Sequence, residues 1–152
     1  KFIMQKSYLA LGCFWKPEET FRQLTGVIET EVGYAGGASS ATNYEEVCTG
    51  NTGHTETVKI TYDEKIISYE KLLEVFFKTH DPTQKDMQYP DMGTQYRSEI
   101  FYENEQQKNI AEKCKYLFNE KLNGKIETNI SKIKNYCKAE EYHQKYIMKK
   151  NQ

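Results

Sequence analysis

The strand-like runs of this chain lie too close together for helical crossovers between all of them, and this limits what it can become. Val27 to Val32 alternates apolar and acidic residues, and Glu56 to Tyr62 alternates in the same way. Between them, Gly36 to Asn43 is rich in Gly, Ser, Thr and Asn, the composition of a loop. A parallel pair needs a crossover of a dozen or more residues, usually a helix. The sheet is therefore expected to be mixed or antiparallel with helices packed on it, an α+β fold.

Local signals place the other elements. Ser7 to Leu11 reads as a short buried strand ended by Gly12. Pro17, Glu18 and Glu19 suit the first turn of a helix, where proline needs no donor and carboxylates meet the positive end of the dipole. That helix should run to about Leu24 and stop near Gly26, and the strand after it should end in the loop Tyr34-Ala35-Gly36-Gly37. Ser68 opens an amphipathic helix with Tyr69, Leu72, Leu73, Phe76 and Phe77 on one face, closed at His80-Asp81-Pro82. Lys85 to Thr94 reads as polar loop, and Arg97 to Tyr102 as a strand. Asn104 and Gln107 resemble a capping box opening a long helix, with Ile110, Cys114, Leu117 and Phe118 as its buried stripe and Asn123-Gly124 at its end. A strand over 126–130 and a helix over 139–148 complete the expected order.

At 152 residues, with no repeat or Pro/Ser-rich linker, residues 1–152 are expected to form a single domain. Twenty-one basic residues against twenty-two acidic ones leave no basic stripe, so neither nucleic acid nor a membrane surface is an expected partner. No apolar run approaches the ~20 residues that cross a bilayer, and a cytoplasmic location is expected. Cys13, Cys48, Cys114 and Cys137 show no paired spacing, so each is judged alone.

Cys13 alone stands at the start of a helix, where unsatisfied N–H groups and the dipole favour thiolate. Position by itself fits a small buried hydrophobe equally well. Phe14 and Trp15, the one tryptophan, can wall an apolar pocket beside it or simply fill core. Glu56 lies in phase with Val58, Ile60 and Tyr62, which turns its carboxyl towards the interior. Burial would raise its pKa and let it hold a proton near neutral pH; a strand-end glutamate can also escape to water. Tyr44, Asp91 and Tyr96 fall in expected loops. His54, His80 and His143 are too scattered for a metal site, and His80 suits the end of its helix.

Five blocks together resemble the A class of peptide methionine sulfoxide reductases: GCFW at 12–15, YEEVCTGNTGHTETV at 44–58, HDP at 80–82, GTQYRS at 93–98 and AEEYHQKY at 139–146. The resemblance implies a two-layer α+β sandwich of ferredoxin-like topology. It implies that Cys13 attacks the sulfur of methionine-S-sulfoxide in proteins or peptides, and that Glu56 supplies the proton the oxygen needs to leave. It makes Tyr44 and Tyr96 donors to that oxygen, Asp91 a holder of the polar network, and Phe14 and Trp15 the wall around the S-methyl group. No bound cofactor is implied. The products are methionine and a Cys13 sulfenic acid, which a thiol must reduce.

Many relatives reduce it with cysteines in a glycine-rich tail, which this sequence lacks after Cys137. An external reductant such as thioredoxin, glutaredoxin with glutathione, or dithiothreitol is therefore expected to act on Cys13 directly, with Cys137 as a possible local resolving thiol. Some short-tailed relatives carry selenocysteine at the position of Cys13. Cys48 and Cys114 are expected to be packing residues. The rival readings are a cysteine-dependent peroxidase or thiol transferase, and a non-enzymatic module that binds methionine peptides.

Overall fold

The computed structural model describes residues 4–152. In chain order its elements are β1 (Met4–Leu11), α1 (Trp15–Arg22), β2 (Val27–Ala35), α2 (Tyr44–Cys48), β3 (Thr55–Asp63), α3 (Tyr69–Lys78), β4 (Met87–Gln88), β5 (Asp91–Met92), β6 (Ser98–Tyr102), α4 (Glu105–Lys121), β7 (Asn129–Lys132), β8 (Cys137–Lys138) and α5 (Tyr146–Lys150). The main sheet has the order β7-β6-β1-β3-β2-β8. Its pairs are antiparallel except β6 with β7, which run parallel. The inner four strands with α1 and α3 make a β-α-β-β-α-β unit, the ferredoxin-like arrangement that the resemblance implies.

Alternation along the strands separates two faces. Leu9, Val32, Val58, Ile60, Tyr62 and Ile100 are buried with Phe21 of α1 and Leu72, Leu73 and Phe76 of α3. The opposite face carries a smaller cluster of Tyr8, Ala10, Ala35 and Phe101, against which Ile133 and Tyr136 pack. Ser68 caps α3 by accepting the Lys71 N–H at 3.0 Å. The His80 Nδ1–H donates to the Phe76 carbonyl at 2.6 Å, since a carbonyl only accepts, so His80 does close that helix. Among the described residues, no helix is long and apolar enough to cross a membrane.

Several boundaries differ from expectation. β2 continues through Tyr34 and Ala35 because both pair with β3, opposite Glu56 and Thr55. Tyr44 starts a short helix, capped by the Asn43 side chain accepting the Glu46 N–H at 2.9 Å, where a loop was expected. The 85–94 loop contains the hairpin of β4 and β5, so Asp91 is a strand residue. Asn104 caps α4 as expected, but Gln107 reaches the Glu103 N–H and the Lys6 carbonyl instead of closing a box. Leu117 is 48% exposed, because α4 buries a narrower face through Gln107, Ala111 and Cys114. The strand expected over 126–130 forms at Asn129–Lys132.

Of the helix expected over 139–148 only the end forms, as the start of α5. The Ala139 N–H donates to the Val32 carbonyl, and the Gln144 side chain accepts the Val32 N–H at 2.9 Å while donating to the Val32 carbonyl at 2.8 Å. Those bonds bind the segment to the edge of β2. A 3-10 turn at Glu141–His143 and a left-handed Lys145, φ 52, then lead into α5.

Candidate active site

The site begins where β1 ends. Gly12 takes φ +95, and a Cβ there would stand 2.9 Å from Cβ of Gln88, so glycine lets the β4–β5 hairpin close over the turn. Cys13 follows, half-buried, just before Phe14 caps α1. With Leu11, Lys16, His80, Gln88 and Asp91 it lines a cleft of about 600 Å³.

Glu56, on β3, is 2% exposed, and its carboxyl faces the interior as the strand's phase predicts. Its Oε1 accepts the Phe14 N–H at 3.1 Å. Burial pushes the carboxyl up to about 8; the Phe14 N–H opposes this shift, and the Asp91 charge adds to it. Glu56 therefore holds a proton at neutral pH.

The thiolate expected at Cys13 is not favoured. Burial is the largest influence and pushes the thiol up to about 12, helped by the charges of Glu56 and Asp91. The Trp15 N–H, the contribution of the helix start, lowers it without offsetting the rest. A helix N-terminus favours thiolate only where desolvation and nearby carboxylates do not outweigh it.

Two tyrosines complete the polar cluster. The Tyr44 phenol is pushed up to about 12 by a hydrogen bond with the Cys48 side chain, by burial, and by the charges of Cys48, Glu56 and Cys13. Tyr96, in a 3-10 turn over Thr94–Tyr96, is raised by burial and by the charges of Glu56, Tyr44, Cys48 and Asp91. Both remain neutral O–H donors. Cys13, Glu56, Tyr44, Asp91 and Tyr96 thus act on one another electrostatically.

Phe14 is buried against Tyr34 and His143, with ring centroids 5.8 and 5.2 Å away. Trp15 is half-buried; its indole stacks on Tyr146 at 3.9 Å, and its Nε1–H donates to Nδ1 of His143 at 3.0 Å. Cys137 pairs with Tyr34 across β2 and β8, and its sulfur turns to the Thr42 carbonyl at 3.5 Å. Of the residues expected at the site, Cys13 and Asp91 line the cleft, whereas Glu56, Tyr44, Tyr96, Phe14, Trp15 and Cys137 do not. Cys48, expected as packing, is exposed at the end of α2, because only Val47 of that short helix is buried. Cys114 is buried in α4 as expected.

Residues of the AEEYHQKY block were given no roles by periodicity, yet they form the back of the site. Glu140 accepts the Tyr34 hydroxyl at 2.8 Å and the Tyr44 N–H at 2.9 Å, tying the segment to both tyrosines. Buried Glu18 of α1 accepts the Lys145 N–H and the Thr30 hydroxyl, each at 2.8 Å. The compact block was the available signal; its bonds are long-range and invisible to spacing.

A family model described as peptide methionine sulfoxide reductase matches residues 5–152. A peptide methionine sulfoxide reductase MsrA of Pelagibacter ubique (strain HTCC1062) is 57% identical over 147 residues, covering 97% of this chain and 100% of that protein. The reduced form of Mxr1 from Saccharomyces cerevisiae superposes with a TM-score of 0.93 at 38% identity, over 98% of this chain and 87% of that one. Methionine sulfoxide reductase A of Corynebacterium diphtheriae also gives 0.93, at 36% identity, over 97% and 76%. Mxr1 in complex with Trx2 gives 0.67 at 27% identity, over 94% and 84%.

Proposed function

The chain belongs to the peptide methionine sulfoxide reductase family, and from that premise we propose how its residues reduce methionine-S-sulfoxide to methionine. The Cys13 sulfur bonds to the sulfoxide sulfur. Glu56, carrying its proton at neutral pH, gives it to the oxygen as the S–O bond weakens. Tyr44 and Tyr96 donate to the same oxygen, where negative charge develops. Asp91 holds this polar cluster beside the cleft. Phe14 and Trp15 seat the S-methyl group, so methyl, oxygen and side chain occupy three different places and one epimer is selected.

The balance is one thiol and one sulfoxide giving one sulfenic acid on Cys13 and one thioether. The oxygen leaves as water, taking the Glu56 proton and the thiol proton. A water molecule then adds to the Cys13 sulfur, the S–S bond breaks to release the thioether, and the proton that water sheds returns to Glu56. The observation that carries the reading is the buried Glu56 carboxyl, whose Oε1 accepts the Phe14 N–H at 3.1 Å, one residue from Cys13.

Reduction of the sulfenic acid completes the cycle. A thioredoxin-type dithiol is the proposed donor, supported by the Mxr1 relative having been solved with Trx2; glutaredoxin with glutathione or dithiothreitol would serve the same chemistry. Residues 1–152 are proposed to work as one catalytic domain without a bound cofactor. Four free cysteines suit the reducing cytoplasm we propose as its location.

The test is to incubate wild type and Cys13→Ser with each sulfoxide epimer, using dithiothreitol and then thioredoxin. Methionine from the S epimer alone is expected, with none from Cys13→Ser. Peroxide consumption without methionine, or single-turnover methionine from Cys13→Ser, would overturn the reading.

A further inference from the structure

Resting on this reading of the site, we propose that His143 is a positioning residue whose imidazole fixes the Trp15 indole, and with it the wall against which the substrate methyl lies. An indole N–H only donates, so Nδ1 of His143, 3.0 Å away, must carry the lone pair. The ring is therefore the neutral Nε2–H tautomer. Nε2 is buried without a partner among the described residues. The Trp15 bond thus sets the tautomer, at the cost of leaving the Nε2–H unpaired.

Trp15 is held twice over. Its edge is bonded to His143 and its face is stacked on Tyr146, with the planes 9° apart. His143 is itself fixed: it is 2% exposed, and its ring meets Phe14, Trp15, Tyr44 and Tyr142 with centroids 4.2 to 5.7 Å away. The residues beside it are anchored too, Glu140 to Tyr34 and Tyr44, and Gln144 to Val32. One segment thereby sets both the apolar wall, through Trp15, and the oxygen donor, through Tyr44. Burial lowers the imidazole pKa, against the pull of Glu140, and keeps the acceptor nitrogen free of a proton.

Because Trp15 is the one tryptophan, its emission reports this contact directly. The experiment compares wild type, His143→Phe and His143→Asn, whose Oδ1 can take the place of Nδ1. His143→Phe is expected to shift the emission and raise KM for a methionine-S-sulfoxide peptide about tenfold, the loss of one hydrogen bond, with kcat within about threefold. His143→Asn is expected to restore both emission and most of KM. Emission and KM like wild type in His143→Phe, or no rescue by His143→Asn, would overturn the proposal. Should His143→Phe fail to fold, His143→Ala set against Trp15→Phe and the double variant decides: non-additive KM effects are expected, and additive ones refute the coupling. If wild type reduces no sulfoxide, the functional reading falls, while the emission arm still judges the contact.

Discussion

The backbone N–H of Phe14 donates to Glu56 Oε1 at 3.1 Å across 42 positions of sequence, so the residue after Cys13 and the buried carboxyl on β3 are joined directly. A carboxyl buried to this degree would ordinarily carry several partners. With one backbone donor and the Asp91 charge acting on it, the neutral acid is the stable form below about pH 8.

Glu56→Gln is expected to slow sulfenic acid formation by roughly 10²- to 10⁴-fold, the usual contribution of a general acid. In wild type the step should slow as pH rises through about 8, where the donor loses its proton. The variant should lose that dependence. Stopped-flow measurement of the single-turnover rate from pH 6 to 10 checks both.

The same carboxyl has an opposite effect on folding. Its folded pKa lies above the ordinary glutamate value near 4.3, so the native state binds more protons between about pH 4 and 8. Stability from this residue is fully present below about pH 4 and is lost as pH rises through about 8. Glu56→Gln should therefore gain on wild type with rising pH, by on the order of a few kcal/mol, in urea unfolding at pH 5 and pH 9.

Cys13, pushed up to about 12, should be alkylated slowly by iodoacetamide at pH 7 and progressively faster to pH 10 and beyond. Glu56→Gln removes one of the charges that raise it and should move the onset to lower pH. Rapid alkylation of wild-type Cys13 at pH 7, followed by mass spectrometry, would contradict this.

Cys137→Ser is expected to leave turnover with dithiothreitol within about twofold, since the Cys137 sulfur faces the Thr42 carbonyl and not the cleft. A steady-state assay checks it. Collapse of turnover, with a Cys13–Cys137 disulfide on peptide mapping, would instead make Cys137 the resolving thiol.

Gln144→Ala removes an acceptor from the Val32 N–H and a donor from the Val32 and Ala139 carbonyls, all at a buried edge. A loss of about 2–4 kcal/mol is expected from thermal or urea unfolding, because the backbone groups are left unpaired.

Much of the fold could be read from local order. The period-two phase of Val58, Ile60 and Tyr62 places Glu56 inward, and Ser68 and Asn104 mark helix starts that the structure keeps. The ionisation of Cys13 could not be read, because it depends on burial and on Asp91, delivered by a hairpin more than seventy residues later. The 139–148 segment misled for a similar reason: Gln144 has good helical propensity, but its side chain pairs with β2, 112 residues away in sequence. Spacing identifies what a stretch can do alone, and these residues are committed by distant partners.

The strap that carries Glu140, His143, Gln144 and Tyr146 against β2 and α1 comes late in the chain, well after Cys13. During synthesis Cys13 and Trp15 emerge from the ribosome well before that strap. The contacts of Trp15 with His143 and Tyr146 therefore form only after residue 146 has cleared the exit tunnel.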